Sequence, residues 1–135
     1  MIAAEIVLDA SALVRGLQRE TEGAIEIVDG IAVGSISAHA PDLIGPETAN
    51  ALLQLVRVGR SSPHAAATML EAASAAAIIR YPSQQFARPA LEIAIDTGLS
   101  AYDAFYAVLA KALDIPLVTA DRKLAAAVDG SVLVT

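Results

Sequence analysis

The stretch Ile6-Val-Leu-Asp-Ala-Ser-Ala-Leu13 passes from a short apolar run straight into helical spacing. Ile6 to Leu8 predict a strand, Asp9 to Ser11 a turn, and Ala12 to Leu17 a helix. Asp9 is therefore expected at the C-terminal end of a strand. Because open parallel sheets bind ligands outside the carboxyl ends of their strands, this placement makes Asp9 a candidate site residue.

Strands and helices alternate along the rest of the chain. Further helices are predicted over Thr21–Val28 (ended by Asp29-Gly30), Leu43–Val58, Ser61 to about Ala75, Ser83–Thr97, Ser100 to Leu113 and Arg122–Val128. Further strands are predicted over Ser37–Ala40, Ala77–Tyr81, Leu117–Thr119 and Val132–Val134. This order predicts an α/β fold, a central parallel sheet with helices on both faces and right-handed crossovers. We expect one domain over residues 1–135.

The composition suits such a fold. Of the 135 residues 56% are hydrophobic but only 4% are aromatic, so small and branched aliphatic side chains must fill the core. No apolar stretch approaches the roughly 18 residues of a membrane span, so no membrane association is expected. The start of the chain lacks a basic segment and reaches Glu5 early, which predicts no secretory signal and a cytoplasmic location.

The chain has no cysteine, which excludes disulfides, thiolate zinc and a cysteine nucleophile. Its two histidines, His39 and His64, lack metal-ligand spacing. A metal would need oxygen ligands, which favours Mg²⁺ or Mn²⁺. The formal net charge of −6 argues against a module that binds RNA unaided, but less against an enzyme whose acidic pocket holds cations.

Four acidic residues stand at predicted helix starts, and each has an ordinary structural explanation. Asp9 and Asp121 are suitable N-caps, Asp103 completes the spacing of a capping box with Ser100, and Glu47 is favoured by the helix dipole. Their joint placement is harder to explain, because the predicted topology brings all four towards one sheet edge. Carboxylates about 4 Å apart repel by ~1 kcal/mol in water, and more in a protein, unless a cation compensates.

We therefore predict one divalent-metal site that hydrolyses phosphodiester bonds, because metal ions supply a deprotonated water and stabilise charge on phosphate. Asp9 and Asp103 are the expected central ligands and Glu47 and Asp121 the flanking ones. Three polar residues are expected to support the site: Ser11, Thr119 and Asn50.

Turn and cap roles are the simpler explanation of Ser11 and Thr119. Arg122 and Lys123 are placed to contact phosphate, although a basic pair at a helix start is weak support. Tyr102 and Phe105 are expected in the core rather than stacked on bases.

Four phrases resemble the signature of PIN-domain ribonucleases, and most of all the VapC toxins. They are Ile6-Val-Leu-Asp-Ala-Ser-Ala-Leu13, Pro46-Glu-Thr-Ala-Asn-Ala-Leu52, Leu99-Ser-Ala-Tyr-Asp-Ala-Phe-Tyr106 and Leu117-Val-Thr-Ala-Asp-Arg-Lys-Leu124. The resemblance implies a Mg²⁺-dependent endoribonuclease that acts on structured cellular RNA, restrains growth, forms a homodimer and is inhibited by a VapB-type antitoxin. The four acids match the family's acidic positions and Thr119 its polar position. Apolar faces of the helices Thr21–Val28 and Leu43–Val58 are expected to bind the antitoxin or a second protomer.

Three other functions stay open. A phosphatase of the haloacid dehalogenase type would have D-x-D at the first strand, where this chain has Asp9-Ala-Ser11. A receiver-like signalling domain would need a phosphoacceptor Asp and a later Lys, for which there is no clear match. A non-catalytic PIN-like metal or RNA-binding module would keep the same acids without turnover.

Overall fold

Five parallel strands form one sheet in the computed structural model, which describes residues 4–135. The strands are β1 (Glu5–Leu8), β2 (Ser37–Pro41), β3 (Ile78–Tyr81), β4 (Leu117–Thr119) and β5 (Val132–Leu133). Their order across the sheet is β3-β2-β1-β4-β5, so β1 is central. The chain steps from β1 outwards to β3 and then returns to the far side of β1. The carboxyl ends of β1 and β4 therefore flank the topological switch point.

Helices fill every crossover between these strands. They are α1 (Ala10–Leu17), α2 (Glu22–Val33), α3 (Ile44–Arg57), α4 (Pro63–Ala75), α5 (Ala87–Thr97), α6 (Ala101–Leu113) and α7 (Arg122–Ala127). Helix α1 packs against α2, α3 and α4, whereas α5 packs against α6. Right-handed crossovers place α1 to α4 on one face of the sheet and α5 to α7 on the other. The predicted α/β fold with a helix-flanked parallel sheet is confirmed.

Aliphatic side chains build the core around β1. Ile6, Val7 and Leu8 are all fully buried, because helices cover both faces of the central strand. Leu117 and Val118 of the adjacent β4 are equally buried. Full burial of each such side chain stabilises the fold by about 1.5–3 kcal/mol. The many aliphatic residues of the sequence thus serve mainly to bury the two faces of the sheet.

Two predicted helices differ from the structure. Helix α2 does not end at Asp29-Gly30 but continues to Val33, and Gly34 closes it with a φ of 80°. Gly30 is needed for packing instead, because a Cβ there would collide with the Ile36 side chain. The predicted helix Ser83–Thr97 begins as a 3-10 turn over Ser83–Phe86 before α5 starts.

No helix within residues 4–135 combines the length and the apolar character required to cross a membrane. The prediction of a missing secretory signal concerns in part Met1 to Ala3, which lie outside the described residues.

Gly16 marks the closest approach of α1 and α2, and this contact gives a stability test. A Cβ on Gly16 would lie 2.5 Å from Val28 Cγ1 and 2.7 Å from the Ala24 carbonyl oxygen. We expect Gly16→Ala to lower the free energy of unfolding by about 1–3 kcal/mol in urea titrations, although alanine favours helices by ~1 kcal/mol.

Gly23→Ala is the matched control, because its Cβ would meet Val134 Cγ1 at an ordinary 3.4 Å. We expect the control to be neutral or slightly stabilising. Equal stabilisation by both substitutions would show that the α1–α2 contact is not as close as described.

Candidate active site

A cavity of about 490 Å³ opens at the carboxyl ends of β1 and β4. All four predicted acids line it: Asp9, Glu47, Asp103 and Asp121. They come from four separate parts of the chain and meet at the predicted edge of the sheet. The cavity thus joins the candidate acids at the switch point of the fold.

Each acid is held at the start of a helix. Asp9 follows β1 as the N-cap of α1, and Asp121 follows β4 as the N-cap of α7. Glu47 and Asp103 lie in the first turns of α3 and α6. Helix N-termini carry partial positive charge, which stabilises carboxylates. The capping roles considered for Asp9 and Asp121 are therefore confirmed. In α6 the N-cap is Ser100, whose hydroxyl accepts from the Asp103 N–H.

Asp9 is the most buried of the four, with 4% of its surface exposed. Its Oδ1 accepts hydrogen bonds from the Ala12 backbone N–H at 2.9 Å and from the Ser11 hydroxyl at 2.8 Å. Its Oδ2 accepts one from the Thr119 hydroxyl at 2.5 Å. These donors replace the water that the buried carboxylate has lost.

The two hydroxyl groups are themselves fixed by backbone donors. The Ala120 N–H donates to Ser11 Oγ at 3.0 Å, and the Asp121 N–H donates to Thr119 Oγ1 at 2.9 Å. Both hydroxyl protons are thereby directed at Asp9. Ser11 and Thr119 bind the carboxylate side chain and tie the end of β1 to the end of β4.

Asp121 uses only one carboxylate oxygen in the hydrogen bonds found among residues 4–135. Its Oδ1 caps α7 by accepting from the N–H groups of Lys123 and Leu124, at 2.8 and 3.1 Å. The geometry of the cap thus leaves Oδ2 available for a further ligand.

The electrostatics of the cavity oppose ionisation of three acids. Burial raises the pKa of Asp9, Glu47 and Asp103. Mutual repulsion adds to this rise: Asp103 raises the pKa of Asp9 and of Glu47, and Asp121 raises that of Asp103. The hydrogen bonds to Asp9 work in the opposite direction, but burial outweighs them.

Tyr106 is a site residue that the sequence analysis missed. Its hydroxyl donates to Glu47 Oε1 at 2.6 Å, which offsets part of the rise that burial causes in the pKa of that carboxyl. Only 1% of Tyr106 is exposed. Burial, followed by the charge of Glu47, raises the pKa of the tyrosine well above its usual range, so it stays a donor. The sequence offered one signal for Tyr106: it stands three residues after Asp103, which places both side chains on the same face of α6.

The remaining candidates divide into those at the cavity and those away from it. Asn50 lines the cavity, as predicted. Tyr102 also lines it and is 64% exposed, so its predicted core position is wrong, whereas Phe105 is partly buried against α5. The ammonium group of Lys123 donates to the Gly98 carbonyl oxygen at 3.0 Å. His39 lies between Glu5 and Tyr81, outside the cavity.

The acids share one cavity without converging on one point. Within residues 4–135, no three His, Asp or Glu side chains lie close enough together to hold a single ion in the conformation described. The donor set is nevertheless entirely oxygen, which is what hard divalent cations bind. Rotation of the side chains on α3 and α6 would be needed to bring their carboxylates onto a common ion.

Comparison with known proteins agrees with this architecture. Residues 6–130 match the sequence profile of the PIN domain. The chain is 36% identical over 124 residues to Ribonuclease VapC1 of Mycobacterium tuberculosis, covering 91% of this chain and 90% of that protein. It is also 36% identical over 122 residues to Ribonuclease VapC9 of the same species, covering 88% and 87% of the two chains.

Solved structures show the same fold. PAE2754 from Pyrobaculum aerophilum superposes with a TM-score of 0.74 at 29% identity, over 95% of this chain and 82% of that one. VapBC2 from Rickettsia felis, bound to a DNA fragment from its promoter, gives a TM-score of 0.64 at 14% identity over 96% of both chains. On the profile match and the extent of these identities, the chain belongs to the PIN-domain family and is similar over 91% of its length to a VapC ribonuclease.

Proposed function

We propose that this protein is a Mg²⁺-dependent endoribonuclease, with Mn²⁺ as an alternative ion, and that it acts as the toxin of a toxin–antitoxin pair. One observation carries the chemical part of the proposal: four carboxylates at the N-terminal ends of α1, α3, α6 and α7 line one cavity at the switch point of the sheet. The names of its relatives, Ribonuclease VapC1 and VapC9, support RNA as the substrate.

The electrostatics favour a bound cation. Burial and neighbouring carboxylates raise the pKa values of Asp9, Glu47 and Asp103. Ionising all three at neutral pH therefore costs stability. A divalent ion would convert this repulsion into attraction. The acids lie in one cavity in spite of that cost, which supports metal binding over a purely structural role.

Each residue has a definite task in the proposed reaction. Asp9 and Asp103 would be the central ligands, with Glu47 and Asp121 flanking them. Bound Mg²⁺ supplies an activated water and stabilises charge on the phosphate. Ser11 and Thr119 hold the Asp9 carboxylate in place, and Tyr106 holds that of Glu47. Asn50, one turn after Glu47, faces the same cavity and is placed to orient RNA or a water molecule.

An antitoxin partner and a homodimer belong to the same proposal. A second cavity of about 410 Å³ lies between α1, α2 and α4 and is lined mainly by apolar side chains, among them Leu13, Leu17 and Ile31. Val33 at the end of α2 is 79% exposed, and Val58 after α3 is 66% exposed. These surfaces suit a small VapB-type antitoxin or a second protomer. Cellular RNA as the substrate would place the protein in the cytoplasm.

RNA cleavage is the direct test of the proposed activity. Wild-type protein should cleave RNA with Mg²⁺ and lose this activity with EDTA. Asp9→Asn and Asp103→Asn should each lower the rate at least about 100-fold, because each removes a charged ligand. Asparagine is a good N-cap at position 9, and position 103 is only partly buried, so the fold of both variants should persist in circular dichroism spectra.

Glu71→Gln is the control variant, because Glu71 is exposed on α4 and outside the acidic cavity. It should cleave as wild type does. Unchanged cleavage by either active-site variant would exclude the assigned site, and a metal-binding protein without any cleavage would favour the non-catalytic module.

The pH dependence of stability gives a test that needs no activity. Because the folded-state pKa values of Asp9, Glu47 and Asp103 are raised, the folded protein binds more protons than the unfolded chain above about pH 4. Without divalent ions, stability from these groups should therefore fall as the pH rises from about 4 through their folded pKa values. Asp103→Asn should be more stable than wild type at pH 7–8 by on the order of 1 kcal/mol.

Urea unfolding at several pH values measures this difference, which should shrink as the pH falls towards 4. Addition of Mg²⁺ should stabilise wild type more than Asp103→Asn, whereas Glu71→Gln should respond as wild type does. If Asp103→Asn and Glu71→Gln show the same pH profile and the same response to Mg²⁺, the acids do not repel one another in a shared site.

A further inference from the structure

Tyr102 is an exposed aromatic side chain at the rim of the acidic cavity. Of the five aromatic residues in the chain, only Tyr102 is mostly exposed, at 64%. It stands immediately before Asp103 in the first turn of α6, and both side chains line the same cavity. The phenol ring is thus next to a proposed metal ligand and open to solvent.

The negative charge of the cavity opposes the binding of RNA. Most proteins gain affinity for RNA by neutralising phosphates with Lys and Arg. Here no Lys or Arg lines the cavity, the net charge is −6, and the ammonium group of Lys123 is bound to the Gly98 carbonyl. Affinity at this site must therefore come from bound cations and from contacts that do not depend on charge.

Base stacking is such a contact. An aromatic ring stacked on an unpaired base contributes about 1–3 kcal/mol and tolerates any base, because every base has a π face. A cavity of about 490 Å³ has the size of a small-molecule site and can admit one nucleotide. A phosphate bound through a cation at Asp103 would leave an adjacent base within reach of the neighbouring Tyr102 ring.

We propose that Tyr102 stacks on the base of an unpaired nucleotide next to the scissile phosphate and thereby positions single-stranded RNA in the active site. This inference rests on the proposed ribonuclease function and adds a substrate-positioning residue to it. Tyr102 is a binding and positioning residue, and it takes no part in proton transfer.

Steady-state cleavage of a single-stranded RNA oligonucleotide with Mg²⁺ tests the proposal through three proteins. Tyr102→Phe keeps the ring, so its KM should stay within about twofold of wild type. Tyr102→Leu keeps apolar bulk but loses the π face, so its KM should rise roughly 5- to 100-fold with little change in kcat. The exposed position predicts unchanged thermal unfolding for both variants.

Substrates with one abasic position identify the stacked nucleotide. Removal of the base at one position beside the cleaved bond should raise the KM of wild type by the factor seen for Tyr102→Leu. The same abasic substrate should have little further effect on the KM of Tyr102→Leu. If wild type cleaves but Tyr102→Leu has the wild-type KM, stacking is excluded while the ribonuclease function stands. A change in oligomeric state with an unchanged KM would assign Tyr102 to a protein interface, and absence of cleavage by wild type would remove the proposed function itself.

Tyrosine fluorescence provides an independent readout, because the chain has no tryptophan and only three tyrosines. Stopped-flow mixing of excess wild type with RNA should quench emission before cleavage, whereas Tyr102→Phe should bind without this change. An equal loss of emission in Tyr102→Phe would contradict stacking at Tyr102.

Discussion

A buried carboxylate at the end of the central strand requires several hydrogen-bond donors, and the donors to Asp9 decide how the site is assembled. The Ala12 N–H, the Ser11 hydroxyl and the Thr119 hydroxyl surround Asp9, which is only 4% exposed. Thr119 comes from β4, so the contact depends on the pairing of β1 with β4. Loss of either hydroxyl would leave a buried charge under-solvated, which typically costs about 1–3 kcal/mol. The contacts of the Asp9 carboxylate and the pairing of β1 with β4 therefore depend on one another.

Ionisation of Glu47 and Asp103 is opposed in the same direction as that of Asp9. Glu47 and Asp103 are only partly buried, yet their pKa values are raised by burial and by neighbouring carboxylates. The hydrogen bond from Tyr106 to Glu47 offsets part of this effect. Such a set of acids destabilises the protein at neutral pH, and a divalent cation bound among them would remove the penalty. The repulsion that weakens the fold would then favour the binding of a cation.

The sequence predicted much of this arrangement because its signals were local. Asp9 and Asp121 each follow a short apolar run and precede helical spacing, and both are N-caps after strands in the structure. The order of the five strands was not predictable in the same way, because it depends on pairing between distant segments. Asp29-Gly30 resembled a helix end, but Gly30 lies within α2 to admit Ile36, a contact between side chains that local patterns do not record.

The two tyrosines of α6 show most clearly what the sequence pattern could not predict. Tyr102 and Tyr106 are one turn apart on the same stripe, so helical periodicity predicts the same environment for both. Tyr106 is packed inside the protein with its hydroxyl on Glu47, whereas Tyr102 lies in the first turn and opens into the cavity. Burial along a helix depends on where the sheet beneath it ends, which requires the tertiary structure.

Anomalous diffraction from crystals of the protein grown with Mn²⁺ tests whether Asp9, Glu47, Asp103 and Asp121 form one divalent-metal site. A shared site predicts a manganese peak in the acidic cavity, in inner-sphere contact with the carboxylates of Asp9 and Asp103, and no such peak for Asp103→Asn. A cavity without manganese at saturating concentration, or a peak that persists unchanged in Asp103→Asn, would show that these acids do not form such a site.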